Sequence, residues 1–292
     1  MTMNDKIADY VTFPRTFENY RWYKPIIVFI LSFIITLILT GVVIGVFYII
    51  VGPDFVRDTI RGGYEALNSP LAILFSDLFV IVFIPSLYLA SKVVGDRPFS
   101  SYSSSRGGWN FKLYFKALVI PLILYIIYMG AEAAISGQKD VSHFSIAFLA
   151  VILISVPLQS IAEEYVFRGL IMQTFGSWFR IPLLALVLQA IIFTLAHGYN
   201  SIGLFETLVS GLGYGFFAWK TNGIEVSSAM HSVNNFAVGL FVMLGLKVST
   251  SSPQLLDVVS GIVFLIILYI IVYCVGKKTD WFGEIPENAQ NI

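Results

Sequence analysis

The sequence predicts an all-α polytopic membrane protein, a bundle of about eight transmembrane helices with both the N-terminus and the C-terminus in the cytoplasm. Three observations support this prediction. The 292 residues are 57% hydrophobic and only 12% charged, with a mean hydropathy of +0.80, which is too apolar for a soluble domain. Apolar runs long enough to cross about 30 Å of hydrocarbon recur along the chain. Lys and Arg residues fall mainly at alternate ends of these runs, as the positive-inside rule requires.

The apolar runs follow one another with short connections. They lie near residues 25–51, 71–91, 113–135, 144–175, 181–197, 202–220, 224–246 and 256–276. No connection is long enough to hold a soluble domain. We therefore divide the chain into a cytoplasmic N-terminal segment at 1–24, a single transmembrane bundle at 25–276 and a cytoplasmic tail at 277–292. The stretch from Ser100 to Asn110 is rich in Ser and Gly, which predicts a flexible cytoplasmic loop.

Charge and cysteine content exclude some partners and leave others open. Basic and acidic residues balance at 18 each, so the net charge gives no reason to expect nucleic acid as a partner. The single Cys274 lies in the last apolar run and cannot form an internal disulfide. The lipid bilayer is the expected environment, and the sequence does not indicate an oligomeric state.

Three charged residues stand close together inside the fourth apolar run. Glu163, Glu164 and Arg168 lie within six positions, and each ionisable group at the bilayer centre costs at least about 2.5 kcal/mol. Glu164 and Arg168 are four positions apart, so they can pair along one helix face. Glu163 projects about 100° away from Glu164 and has no basic neighbour three or four positions away. A structural ion pair at a helix end, reaching to the interface, is the alternative to a functional site.

Two of the three histidines fall in late apolar runs. Glu163 and His197 are equally far from residue 180, where Arg180-Ile181-Pro182 predicts a turn between antiparallel helices; the two would then lie at one depth. His231 and Asn235 are four positions apart and share a helix face. For His231 and Asn235 to lie at the same depth in the membrane as Glu163, their helix must be tilted. A lone membrane histidine is more often a packing residue than a catalyst, but these two occur with a carboxylate that lacks a counterion.

A carboxylate, two imidazoles and an amide are the groups needed to hydrolyse an amide bond with water. A general base removes the water proton, and donors stabilise the developing oxyanion. Zinc is a competing interpretation, because Glu163, His197 and His231 together form a known type of ligand set, although no HExxH motif occurs. No serine has a GxSxG context. Asp77 and Glu206 lie in other apolar runs. They would suit either the proton relay of a transporter or a structural role equally well.

Three short motifs follow one another in the second half of the chain. They are EExxxR at Glu163, Glu164 and Arg168, FxxxH at Phe193 and His197, and HxxxN at His231 and Asn235. In this order the motifs resemble the CPBP family of intramembrane proteases, which includes CAAX prenyl endopeptidases and bacteriocin-processing or immunity proteins. The resemblance covers about residues 145–240, which we take as the catalytic core.

The resemblance implies an intramembrane endopeptidase acting on a peptide or lipopeptide substrate. Glu163 and His197 would activate water, while His231 and Asn235 would hold the oxyanion. The supporting residues would be Glu164, Arg168 and Phe193. No cofactor is certain, and zinc on Glu163, His197 and His231 stays open. The expected location is a bacterial plasma membrane. The alternative function is a non-catalytic bacteriocin self-immunity or sensor-partner protein built on the same scaffold.

Overall fold

The protein is almost entirely helical in the computed structural model, which describes residues 9–136, 142–246 and 251–282. The helices, numbered α1 to α12 in chain order, are Lys24–Ile50, Pro53–Gly62, Pro70–Ile81, Phe83–Val94, Ser100–Ser103, Phe111–Ser136, Ile146–Glu164, Gln173–Phe179, Pro182–Leu195, Ser201–Lys220, Glu225–Met243 and Leu255–Lys278. A π-helix, Tyr165–Met172, joins α7 to α8. Short 3₁₀ turns occupy Phe13–Thr16 and Gly63–Ala66.

Every predicted apolar run coincides with a helix or with helices joined end to end. Within the described ranges, six helical segments are long and apolar enough to cross a membrane: Lys24–Ile50, Pro70–Val94, Phe111–Ile135, Ile146–Phe179, Ser201–Lys220 and Leu255–Lys278. The prediction of a multi-pass membrane protein made of helices is confirmed. Helix α9, with 14 residues, and α11 are not among the six. The total of eight crossings and the cytoplasmic position of both termini stay predictions.

Helix α11 lies at the centre of the bundle, packed between α6 and α7. Every side chain from Glu225 to Val233 is buried. Because protein rather than lipid surrounds this helix, it can carry Ser, His and Asn side chains that would be costly on a lipid-facing surface. This environment explains why α11 is less apolar than its neighbours and why it can hold functional groups.

The turn predicted around residue 180 is present. Arg180 adopts the left-handed conformation, φ 58°, just after α8, and Pro182 begins α9, where its missing N–H is tolerated. The rings of Phe167 and Phe193 meet edge to face at 5.0 Å across this helical hairpin. The π-helix and α9 therefore run side by side, in the register that the equal spacing about residue 180 predicts.

The prediction that Ser100 to Asn110 is a flexible loop is wrong for residues 101–105. These residues are all buried, and the serine hydroxyl groups among them bond to backbone carbonyls in place of water. Ser101 Oγ donates to Pro98 O at 2.7 Å and Ser104 Oγ donates to Asn222 O at 3.0 Å. Serine content predicts flexibility only where hydroxyls face solvent; here they satisfy a buried backbone.

The cation next to this loop fixes it to the π-helix and α8. Arg97 is buried, donates to the Gly169 carbonyl at 3.2 Å and to the Gln173 side chain, and stacks over the Tyr102 ring at 3.7 Å. The loop is thus a docked part of the bundle, held by a guanidinium whose planar form suits stacking and several hydrogen bonds at once.

The two predicted terminal segments are only partly within the described residues. Residues 1–8 of the segment 1–24 and residues 283–292 of the tail 277–292 lie outside them. From Asp9 onward the N-terminal segment packs against the bundle: Tyr10 is fully buried, Asp9 Oδ2 accepts from Trp219 Nε1 at 3.1 Å, and Arg15 donates to Ser177 O at 2.8 Å. The segment is therefore docked, and its cytoplasmic location stays a prediction.

Candidate active site

The two glutamates end α7, and Arg168 follows in the π-helix. Arg168 Nη1 lies 2.8 Å from Glu164 Oε1, and both side chains are fully buried. The ion pair predicted from the four-residue spacing is present, but it lies inside the protein and does not reach to an interface. Arg168 also donates to the Gly211 carbonyl of α10 at 3.2 Å. π-Helical segments are frequent at functional sites, and this one carries the cation that neutralises Glu164.

The ring of Phe193 contacts several of the ionisable side chains of the site. The Arg168 guanidinium lies over Phe193 at 4.4 Å and over Tyr214 at 5.5 Å. The Phe193 ring also contacts the imidazoles of His197, at 4.5 Å between centroids, and His231, at 5.9 Å. The supporting role that the resemblance implies for Phe193 thus has a physical basis, a cation–π contact and an apolar wall against both histidines.

His231 contacts both adjacent glutamates, one through each ring nitrogen. Its Nδ1 lies 2.9 Å from Glu164 Oε1, and its Nε2 lies 3.6 Å from Glu163 Oε2. The imidazole stacks on Tyr214 with centroids 4.9 Å apart. An ionised carboxylate only accepts hydrogen bonds, so we assign the proton to Nδ1. In the neutral ring Nε2 is then an acceptor, and it faces Glu163. His231 of α11 therefore lies beside Glu163, as the sequence prediction of a common depth requires.

Asn235 reaches Glu163 indirectly, through Gln159. Its Nδ2 donates to Gln159 Oε1 at 3.1 Å and to Ser160 Oγ at 3.2 Å. Gln159 in turn donates from Nε2 to Glu163 Oε1. Both amide hydrogens of Asn235 are thus engaged. In this geometry Asn235 positions the carboxylate of Glu163 through Gln159, which differs from the oxyanion role that the resemblance implies.

Gln159 is the residue that sequence reasoning missed. Ser155, Gln159 and Glu163 are spaced by four positions on α7, so they form one polar stripe along an otherwise apolar helix. Each bonds or pairs with a group on another helix: Ser155 with Asp77, Gln159 with Asn235, and Glu163 with His231. The four-residue spacing of Ser155, Gln159 and Glu163 is the sequence signal that indicates a role for Gln159.

His197 follows the end of α9 and is half-buried. Its Nδ1 lies 2.7 Å from the Phe193 carbonyl oxygen, and since a carbonyl only accepts, we assign the proton to Nδ1. It forms no hydrogen bond or ion pair with Glu163 or His231 within the described part of the chain. The structure brings His231, and not His197, into direct contact with Glu163.

A cavity of about 800 Å³ unites these groups. Its wall includes Gln159, Glu163, Phe193, His197, His231 and Asn235. Glu163 is 9% exposed, and its Oε2 atom has no hydrogen-bond partner among the described residues. Asp77 and Glu206, the two acids considered for proton relay, line the same cavity. A concave, largely apolar space with converging polar groups is the usual form of a ligand site.

The zinc alternative needs Glu163, His197 and His231 on one ion at about 2.0–2.2 Å from each ligand. In the described ranges, no group of three or more His, Cys, Asp or Glu side chains is arranged to hold a metal. His197 does not form a metal-binding group with Glu163 and His231. The arrangement does not fit a three-ligand zinc site, and no step proposed below passes through a metal.

Comparison with known proteins finds a family match over the segment that contains these residues. Residues 145–237 match the family model of Rce1-like type II CAAX prenyl endopeptidases. The resemblance to this family is confirmed. The matched segment contains all three motifs, from Glu163 to Asn235, and at the level of the family it implies a protease.

One relative extends beyond the Rce1-like segment. An uncharacterized protein of Bacillus subtilis (strain 168), YyaK, is 29% identical over 232 residues, which is 74% of this chain and 75% of that protein. No solved structure matches the chain.

Proposed function

We propose that the protein is a membrane endopeptidase that hydrolyses a peptide bond in this cavity, with Glu163 as the general base. One observation supports the proposal most strongly: Glu163 Oε2 and His231 Nε2 face each other at 3.6 Å. This separation is too long for a direct hydrogen bond. With Nδ1 of His231 carrying the proton, both facing atoms are acceptors. A water molecule that donates to both would satisfy them.

The proposed reaction uses that water as the nucleophile. Glu163 takes its proton while the water oxygen bonds to the scissile carbonyl carbon, which becomes a tetrahedral oxyanion. The C–N bond then breaks as the proton passes from Glu163 to the leaving amine. His197 keeps Nδ1 bonded to Phe193 O, which leaves Nε2 for the substrate; in its protonated form Nε2–H donates to the oxyanion. Fixed donors in a low-dielectric site are effective for this purpose.

The remaining buried groups hold the reacting ones in position. Arg168 compensates the charge of Glu164, so Glu164 stays ionised and orients His231 through Nδ1. Gln159, held by Asn235, orients the other oxygen of Glu163. Oε2 of Glu163 has no hydrogen-bond partner among the described residues, and preorganisation of this kind lowers the barrier.

The proposed substrate is a membrane-associated peptide, which includes lipopeptides of the prenylated kind. The cavity wall includes Phe29 and Phe33 of α1, side chains that are 46% and 54% exposed on an apolar helix. A substrate peptide that lies in the bilayer would contact this side of the cavity directly. The apolar lining suits a hydrophobic peptide segment, and the polar stripe of α7 suits the peptide bond to be cut.

The test compares peptides released by cells expressing the wild type or Glu163→Ala at equal protein level. We expect at least one membrane-derived peptide to appear only with the wild type, and purified wild-type protein to generate it. Identical peptide profiles would contradict the proposal. Rescue of a deletion phenotype by both Glu163→Ala and His197→Ala would favour the non-catalytic immunity or sensor-partner function.

A further inference from the structure

Asp77 on α3 faces the same cavity as Glu163 but has no part in the proposed reaction. Its Oδ2 accepts a hydrogen bond from Ser155 Oγ at 2.6 Å. Its Oδ1 makes no hydrogen bond to any residue in the described ranges. A carboxylate in an apolar membrane helix is costly, and one serine satisfies only part of its hydrogen-bonding capacity.

The position of Asp77 relative to Glu163 follows from the stripe on α7. Ser155 precedes Glu163 by eight positions, which is about 12 Å along the helix axis. The two carboxylates line the same cavity, and like charges in a low-dielectric cavity repel each other. Glu163 is nine-tenths buried, and its Oε2 has no hydrogen-bond partner among the described residues.

No Lys or Arg side chain lines the described part of the cavity wall. The nearest buried cation of the site, Arg168, is engaged by Glu164 and covered by Phe193 and Tyr214. A positively charged ligand group would therefore be attracted to this part of the cavity, and an anionic group would be repelled.

We propose that Asp77 is a specificity-determining residue that binds a Lys or Arg side chain of the peptide substrate, an inference that rests on the proposed endopeptidase function. An extended peptide rises about 3.3 Å per residue, so the distance of about 12 Å between the level of Asp77 and that of Glu163 places the cationic residue within about four residues of the scissile bond. A free C-terminal carboxylate would be unfavourable at the same place.

The experiment uses fluorescein-labelled hydrophobic peptides with amidated C-termini, in which one Lys is moved from position to position. Each is compared with the same peptide carrying acetyl-lysine, and with one carrying a free C-terminal carboxylate. Binding is measured with the full-length Glu163→Gln protein in detergent, and cleavage is measured with the wild type. We expect about tenfold tighter binding of the best Lys peptide than of its acetylated form, and weaker binding of the free carboxylate.

Variants of Asp77 test whether this residue causes the preference for the Lys peptide over its acetylated form. Asp77→Asn in the Glu163→Gln background should abolish the preference for Lys, and Asp77→Glu should retain it. Asp54→Asn, the same change at an exposed residue of α2, should leave the preference intact. If Asp77→Asn does not fold, equal binding of the Lys and acetyl-lysine peptides to protein with Asp77 intact would still overturn the proposal.

The possible failures are distinguishable. Equal binding of the Lys and acetyl-lysine peptides, or an undiminished preference in Asp77→Asn, would overturn the role of Asp77 even if the wild type cleaves peptides. Failure of the wild type to cleave any peptide, while the lysine preference is retained, would instead contradict the endopeptidase function.

Discussion

His231 Nε2 lies 3.6 Å from Glu163 Oε2, while His231 Nδ1 lies 2.9 Å from Glu164 Oε1. Two glutamates that are adjacent in the chain therefore face opposite nitrogens of one imidazole. Glu164 pairs with Arg168 and accepts from the ring, whereas Oε2 of Glu163 has no hydrogen-bond partner among the described residues. We therefore propose separate roles for the two side chains, and each role predicts a different result on mutation.

The buried ion pair predicts a large stability effect. Arg168→Met leaves Glu164 without its cation in a fully buried position, so we expect a loss of about 3 kcal/mol or more in the free energy of unfolding. The double variant Glu164→Gln with Arg168→Met should recover part of this loss. Thermal unfolding in detergent measures it.

A matched control for this variant is Arg57→Met, which removes an exposed pair with Asp54 that has the same 2.8 Å separation. We expect less than about 1 kcal/mol for it, because exposed pairs are screened by water and salt. Equal effects at Arg57 and Arg168 would show that the buried pair is not a stabilising feature.

The contacts of Asn235 predict coupling with Gln159. Because Asn235 acts on Glu163 through Gln159, the variants Asn235→Ala and Gln159→Ala should each lower kcat, and the double variant should be little worse than either single one. Kinetics of peptide cleavage for the four proteins measure this coupling. Additive losses would instead support a direct contact between Asn235 and the oxyanion.

The side-chain arrangement predicts that activity does not need zinc. Since no three metal-binding side chains are grouped in the described ranges, we expect the purified protein to keep its activity after chelation and assay in zinc-free buffer. Metal content should be well below one ion per chain. Loss of activity that one equivalent of zinc restores would contradict this prediction.

The docked loop predicts resistance to proteolysis. With residues 101–105 buried and Arg97 bonded to the π-helix, the stretch from Ser100 to Asn110 should be cut slowly by an added protease. Arg97→Ala should speed this cleavage, while Arg21→Ala, at an exposed position, should not. Mass spectrometry of the fragments locates the cut. Rapid cleavage of the wild type at this loop would restore the flexible-loop interpretation.

Local features could be predicted from the sequence because they depend on spacing along one helix. The Glu164–Arg168 pair follows from a four-residue interval, and the turn at Arg180 follows from the proline after it. Apolar runs predict the helices for the same reason, since burial in lipid needs a continuous apolar stretch.

Features that depend on two helices could not be predicted in this way. Which histidine faces Glu163 is decided by how α9 and α11 rotate and tilt against α7, and neither angle is encoded in a single segment. The burial of residues 101–105 likewise depends on carbonyl groups supplied by Asn222, far along the chain. Serine composition cannot reveal such distant acceptors.

The most direct test of the account is the rate of peptide cleavage by Glu163→Gln. This change keeps the shape of the side chain and its contact with Gln159 but removes the base, so we expect kcat to fall by about 10²–10⁴-fold with unchanged thermal stability. Asp54→Asn, an exposed acid, should keep wild-type kinetics. A folded Glu163→Gln protein that cleaves its substrate at the wild-type rate would contradict the central claim that Glu163 is the general base.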